Sequence, residues 1–210
     1  MKIVCIADTH NKHRELIIPS GDVIIHAGDF TESGTRRETL DFLKWFAALP
    51  HPHKLLIAGN HDFFLEKNQQ NLHTIIPENI NFLMDSGVCI NNVNFWGSPV
   101  TPGDGSWAYN KTRGSELLEH WNKIPENTDF LITHSPPYGL LDELDNKNHI
   151  GCEELLKRIK YLKIPNHIFG HVHNDYGIVR TKNTVFINSA SLDGRHRQIN
   201  APLTLNHPAS

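Results

Sequence analysis

Three cysteines among 210 residues are too few and too scattered to build anything covalent. Cys5, Cys89 and Cys152 form no Cys-x-x-Cys pair and are odd in number, which excludes a disulfide-stapled scaffold and a thiolate metal ribbon. Cys5 and Cys89 lie in apolar runs, so they read as buried free thiols suited to a reducing, cytoplasmic setting. No window approaches the roughly 20 apolar residues of a membrane span. The short apolar run after Met1-Lys2 is broken at Asp8, well before a secretory leader would end. An excess of positive charge is missing as well. Twenty Lys and Arg against 23 Asp and Glu leave a net charge of -3, so extended nucleic acid and acidic membranes are not indicated as partners. Neither a Gly-x-Ser-x-Gly elbow nor a Gly-x-x-x-x-Gly-Lys loop occurs, which argues against a serine hydrolase and a P-loop enzyme. Repeats, low-complexity runs and interdomain linkers are absent too. One domain is expected over residues 1–194, with a 195–210 tail packed on the same body.

What the chain does have is histidine, 15 in all, and many stand at the ends of apolar runs. Ile3 to Ile6 precedes Asp8-Thr9-His10. Ile24 to Ala27 leads into Gly28-Asp29, and Leu55 to Ala58 into Gly59-Asn60-His61-Asp62. Phe130 to Thr133 delivers His134, and Ile168-Phe169 delivers Gly170-His171-Val172-His173. Each piece alone is a turn Asp, a helix cap or a surface His. Together they load five strand ends with carboxylate, amide and imidazole donors, the signature of a metal centre along one edge of a sheet.

Between these runs the periodicity predicts a helix over 35–49 with Leu40, Leu43, Phe46 and Ala47 inward, stopped at Pro50, and strand-helix-strand units of a parallel sheet. Residues 82–84, 88–90 and 93–96 read as a meander, 98–113 as a long ordered loop, 114–121 and 152–161 as helices, and 176–180 with 184–188 as a hairpin about Lys182-Asn183. His26, within a strand, reads as a buried hydrogen-bonded residue. His13, His51, His53, His149 and His196 default to surface roles. Trp107 and Tyr109 suit packing on the sheet better than stacking on a base.

The ordered set Asp-x-His, Gly-Asp, Gly-Asn-His-Asp, His and Gly-His-x-His resembles the calcineurin-like metallophosphoesterase superfamily over roughly residues 1–190. His26 to Thr31, Trp96 to Pro99, Arg113-Gly114 and Thr133 to Pro137 are similar to the metallophosphoesterase-domain phosphodiesterase group within it. The resemblance implies an α/β fold, a layered α/β/β/α sandwich of two mixed sheets flanked by helices. It implies two divalent metals, manganese preferred with iron, zinc or cobalt as alternatives. Asp8, His10 and His173 would hold one ion, Asn60, His134 and His171 the other, and Asp29 would bridge. His61 would be the general acid with Asp62 orienting it, and Asn60, His61 and Arg113 would meet the substrate. Some members of that group lose the first His of Gly-His-x-His and work poorly, whereas this chain keeps His171. The implied activity is hydrolysis of small phosphodiesters, cyclic nucleotides among them. A phosphomonoesterase, a nuclease and a weakly active nucleotide-binding scaffold are the competing readings.

Overall fold

The computed structural model describes residues 1–197 and 199–208; of the 195–210 tail, Gln198, Ala209 and Ser210 lie outside the described residues. In chain order the first half runs β1 (Lys2–Ile6), β2 (Val23–Ala27), α1 (Arg36–Ala48), β3 (His53–Ile57), α2 (Phe63–Lys67), α3 (Leu72–Ile75), β4 (Asn81–Phe82), β5 (Ser86–Ile90) and β6 (Val93–Ser98). The second half runs β7 (Thr101–Pro102), β8 (Asn110–Lys111), α4 (Ser115–Trp121), β9 (Phe130–Thr133), α5 (Glu153–Leu162), β10 (Asn166–Phe169), β11 (Gly177–Arg180), β12 (Val185–Asn188) and β13 (Leu203–Asn206).

These strands form two large mixed sheets. The first has the order β13-β1-β2-β3-β4, parallel except for β13, which runs antiparallel to β1. The second has the order β11-β12-β10-β9-β6-β5, with a parallel centre and an antiparallel pair at each edge. Three apolar clusters fill the spaces between layers. Ile25 and Leu55 of the first sheet meet Phe95, Ile132 and Ile168 of the second. Ile24 and Leu56, on the other face, pack under Phe42 and Phe46 of α1. Leu131 and Phe169 pack under Trp121 of α4 and Leu155 of α5. Central strands buried on both faces explain why their sequences are continuous apolar runs rather than alternating ones. The result is the helix-sheet-sheet-helix sandwich that the resemblance implied.

Three details depart from the sequence reading. The inward face of α1 is Thr39, Phe42, Leu43 and Phe46, and Leu40 is exposed. Phe42 stacks on Phe30 at 4.4 Å, and the larger aromatic area selects that face over the one through Leu40. The stretch from 82 onward is not one meander. Phe82 joins the first sheet beside Leu56, and only the β5–β6 hairpin belongs to the second. Cys89 is exposed, because on edge strand β5 the alternation turns Val88 and Ile90 inward and Cys89 out. Cys5 and Cys152 are buried, and all three thiols are free. The 98–113 loop also carries a short parallel pairing of β7 with β8. Among the described residues no helix is long and apolar enough to cross a membrane.

Candidate metal centre

The parallel strands β1, β2 and β3 of one sheet and β9 and β10 of the other release the chain at the same edge of the sandwich. Asp8 follows β1, Asp29 follows β2, Asn60 follows β3, His134 follows β9, and His171 and His173 follow β10. The sheets are tied together there: Ala7 pairs with Ala190, its amide donating to the Ser189 carbonyl at 2.9 Å and its carbonyl accepting from the Ser191 amide at 2.8 Å. Side chains far apart in sequence therefore converge. His134 Nε2 lies 3.1 Å from Asp29 Oδ2, 3.0 Å from Asn60 Oδ1 and 3.3 Å from His171 Nδ1. His173 Nε2 lies 3.6 Å from Asp8 Oδ1 and 3.3 Å from His10 Nε2. His10 Nε2 is in turn 4.0 Å from Asp29 Oδ2. The donor atoms of Asp29, His134 and His171 lie within 4.8 Å of one another, as do those of Asp8, His10 and Asp29, so Asp29 is common to both groups.

The backbone bends sharply to do this. Asp8, His10, Asp29 and His171 all have left-handed φ, at 51°, 38°, 55° and 72°. Such residues cost about 1–3 kcal/mol each and persist where the surroundings over-determine them. Asp62 supplies much of that determination: its buried carboxylate accepts from the amides of Asp29 (3.0 Å), Gly59 (2.8 Å) and Thr31 (3.0 Å) and from Thr31 Oγ1 (2.7 Å). This corrects its expected role. His61 is oriented instead by the Glu32 carbonyl, 2.7 Å from its Nδ1, while its own amide donates to Asp29 Oδ1 at 2.7 Å. Burial, helped by the nearby Asp29 charge, pushes the Asp62 carboxyl up to about 7.

The pocket fits divalent cations on three counts. Its donors are imidazoles, carboxylates and one amide without thiolate, a set that suits manganese, iron, zinc and cobalt. Two glycines leave space that only donors fill: a Cβ on Gly59 would strike the Asp29 carboxylate, and one on Gly170 the Asp8 carboxylate. Lastly, the site calls for positive charge. Burial opposes a proton on His134, yet Asp29 and Asp8 overcome it and raise that imidazole to about 9. The ring is held with Nδ1 on the Ala27 carbonyl at 2.9 Å, leaving Nε2 toward the centre. His173 is aimed in the same way by the Asp193 carbonyl, 3.2 Å from Nδ1.

These residues match a family model, described as calcineurin-like phosphoesterase, over residues 1–175. The chain belongs to the calcineurin-like phosphoesterase family. Within that family it is 35% identical to human metallophosphoesterase domain-containing protein 1, over 99% of this chain and 71% of that one. It is 40% identical to a Caenorhabditis elegans UPF0046 protein, over 90% of this chain and 69% of the other. Among solved structures, the Thermus thermophilus protein TT1561 superposes with a TM-score of 0.62 at 13% identity, each chain covered to 98%. At that identity the likeness is one of fold.

Around this phosphoesterase centre several residues lie elsewhere than the sequence implied. Arg113 donates to the carbonyls of Ile150 (2.8 Å) and Gly151 (3.0 Å), in a separate cavity with Tyr138, His149 and Glu154. His26 is buried with Nε2 3.0 Å from Thr9 Oγ1, as its mid-strand position suggested. His13 and His51 are buried rather than superficial, His13 against Phe42 and Trp45 and His51 on the Pro19 carbonyl. His196 is the residue sequence reasoning missed. Its ring stacks on His10 at 4.6 Å and on His173 at 4.9 Å, and the three donor sets lie within 4.8 Å. Glu32 Oε2 sits 3.4 Å from Nδ1 of both His10 and His196. No apolar strand precedes His196, so no strand-end signal could have found it. Tyr109 is buried in the core, whereas Trp107 is 47% exposed.

Proposed function

We propose that this chain is a two-metal phosphoric ester hydrolase whose preferred substrates are small phosphodiesters, cyclic nucleotides among them. The observation that carries the reading is Asp29, whose carboxylate is shared by two donor groups that each suit one cation. We assign Asp8, His10 and His173 to one ion and Asn60, His134 and His171 to the other, with manganese as the working metal. When bound, such a pair supplies Lewis-acid charge and a nucleophilic water at neutral pH.

The chain's own residues supply the rest. Asp29 fixes the spacing of the two sites. His61, held by the Glu32 carbonyl and edge-on to His10 at 4.7 Å, is our assignment for the group that meets the leaving oxygen. In that role Nε2 faces the oxygen while Nδ1 stays on the Glu32 carbonyl. We assign Asn60 and His61 to meet the phosphoryl oxygens. Arg113, committed to two carbonyls, is left out of this role. The acidic net charge favours small substrates over long polyanions. Three free thiols suit a cytoplasmic setting.

The test is metal analysis of the purified protein together with turnover of bis-p-nitrophenyl phosphate, p-nitrophenyl phosphate and 2′,3′- and 3′,5′-cyclic nucleotides in manganese. Two metal equivalents and faster turnover of diester than of monoester are expected. Faster monoester turnover would make the protein a phosphomonoesterase. Full metal loading with no hydrolysis would make it a binding scaffold.

A further inference from the structure

Of the four tryptophans, Trp107 is the exposed one. Trp96 and Trp121 are buried in the core, but Trp107 keeps 47% of its surface exposed. It does so beside the metal-centre edge: its indole lies 4.6 Å from the His61 ring, tilted by 33°, and 6.0 Å from the Phe63 ring. A tryptophan buries more than 150 Å² when it packs fully, so leaving half of it over open space forgoes stabilisation that a core position would provide.

That space is a cavity of about 560 Å³. Asn60 and His171, both assigned above to one cation, form one wall; Trp107, Thr101, Asp104 and Asn110 form others. The volume suits a nucleoside-sized group. The platform is pre-organised by hydrogen bonds from the backbone of Trp107 and of the two residues after it. The Ala108 amide donates to the Asn60 carbonyl at 3.0 Å, the Tyr109 amide to Glu66 Oε1 at 2.6 Å, and the Trp107 amide to Asn110 Oδ1 at 3.2 Å. Gly103 lies so close to the Asn110 amide that a Cβ there would strike it. An ordered aromatic face with amide and carboxylate acceptors around it binds a planar ring bearing N–H donors, and Asp104 repels a second phosphate.

We propose that Trp107 is a stacking platform for the organic half of the substrate, and that the preferred phosphoesters carry a planar aromatic ring, a nucleobase or an aryl group, on the side of the leaving oxygen. The proposal rests on the metal-centre reading above and deepens it. His61 and Trp107 then act as one unit, the imidazole at the leaving oxygen and the indole under the ring attached to it.

The experiment is calorimetric titration of the manganese-loaded protein with adenosine 5′-monophosphate, phenyl phosphate, ribose 5-phosphate and inorganic phosphate, for the unmodified chain and for Trp107→Ala and Trp107→Phe. Stacking on an aromatic side chain predicts that adenosine monophosphate and phenyl phosphate bind about tenfold more tightly than ribose 5-phosphate. Trp107→Ala should erase that advantage while leaving ribose 5-phosphate and inorganic phosphate where they were, and Trp107→Phe should restore most of it. A ring preference confined to one of the two aromatic ligands identifies which ring is preferred and supports the platform. Affinities for adenosine monophosphate and phenyl phosphate that both equal that for ribose 5-phosphate in the unmodified chain would overturn it. So would an equal loss for all four ligands in Trp107→Ala, since that would make the indole a prop for His61. Failure of every ligand, inorganic phosphate included, would remove the metal-centre reading and the platform with it.

Discussion

The strand ends and the loops that rim them are built differently. Asp8, Asp29 and His134 are buried, lie just past the ends of central strands of two packed sheets, and are held by hydrogen bonds to neighbouring strand ends. Trp107 and His196 stand on loops, partly exposed, and are placed by backbone bonds to residues that serve the centre: Ala108 to Asn60, and Asp193 to both His173 and His196. Positional accuracy for charge chemistry comes from the sheets, and the surface that meets the substrate comes from segments that can vary without disturbing them.

Substitutions can break or sharpen this contrast. The largest loss is expected for Asp29→Asn, which removes the one negative charge that the two donor groups share. Because metal-ion charge stabilisation is worth several kcal/mol, kcat on bis-p-nitrophenyl phosphate should fall on the order of 10³-fold or more. Retention of both metals and of activity would show that the shared carboxylate is dispensable. His61→Ala comes next. Turnover of a diester with a poor alkoxide leaving group should drop roughly 10²- to 10⁴-fold, with a much smaller change for p-nitrophenoxide and undiminished metal content. Equal losses on both substrates would take the proton-donating role from His61.

A smaller effect is expected at the rim. His196→Ala removes a ring stacked on His10 and His173, and manganese affinity at the Asp8, His10 and His173 site should weaken by about tenfold, read by competition with a chelator. Equal weakening at both sites would point to a general loosening of the loop instead. The smallest change at neutral pH concerns His167, which is buried on β10 with Nε2 2.8 Å from Thr133 Oγ1. Burial lowers its pKa to about 3. The unfolded chain takes up a proton below about 6.5 that the folded chain refuses, so this contribution to stability is present above pH 6.5 and is lost as pH falls toward 3. His167→Gln, which keeps a donor for Thr133, should flatten the acid limb of a plot of Tm against pH; an unchanged limb would assign it to other groups such as His26.

The same contrast governs what the sequence revealed. The strand-end residues were legible because apolar runs have a recognisable length and the polar residues after them stand out against it. Gly28, Gly59 and Gly170 marked the places where the chain turns. His196 was illegible because it reaches His10 from a loop and not from a strand end; Asp193 shapes that loop, its carbonyl accepting from the His196 amide and its carboxylate from the Arg195 and Arg197 amides, and such a local turn does not reveal which distant residues it faces. Asp62 was misplaced for a related reason: its neighbour in sequence is His61, but its partners are the amides of Asp29, Gly59 and Thr31. Helix α1 shows a third limit. Periodicity put Leu40 on the inward face, and the facing Phe30, which nothing in the helix's own sequence reveals, turns Phe42 inward instead.

The outward turn of Cys89 has a practical consequence. Cys5 and Cys152 are buried, and burial pushes the Cys152 thiol up to about 11, so thiol-reactive dyes should find a single target in the folded chain. Cys89 pairs in register with Asn94, at the start of β6, whereas His134 follows the end of β9, which runs parallel to β6. A fluorophore there would sit at the opposite end of the second sheet from the imidazoles, a stationary beacon for measuring distances to anything that docks on the indole.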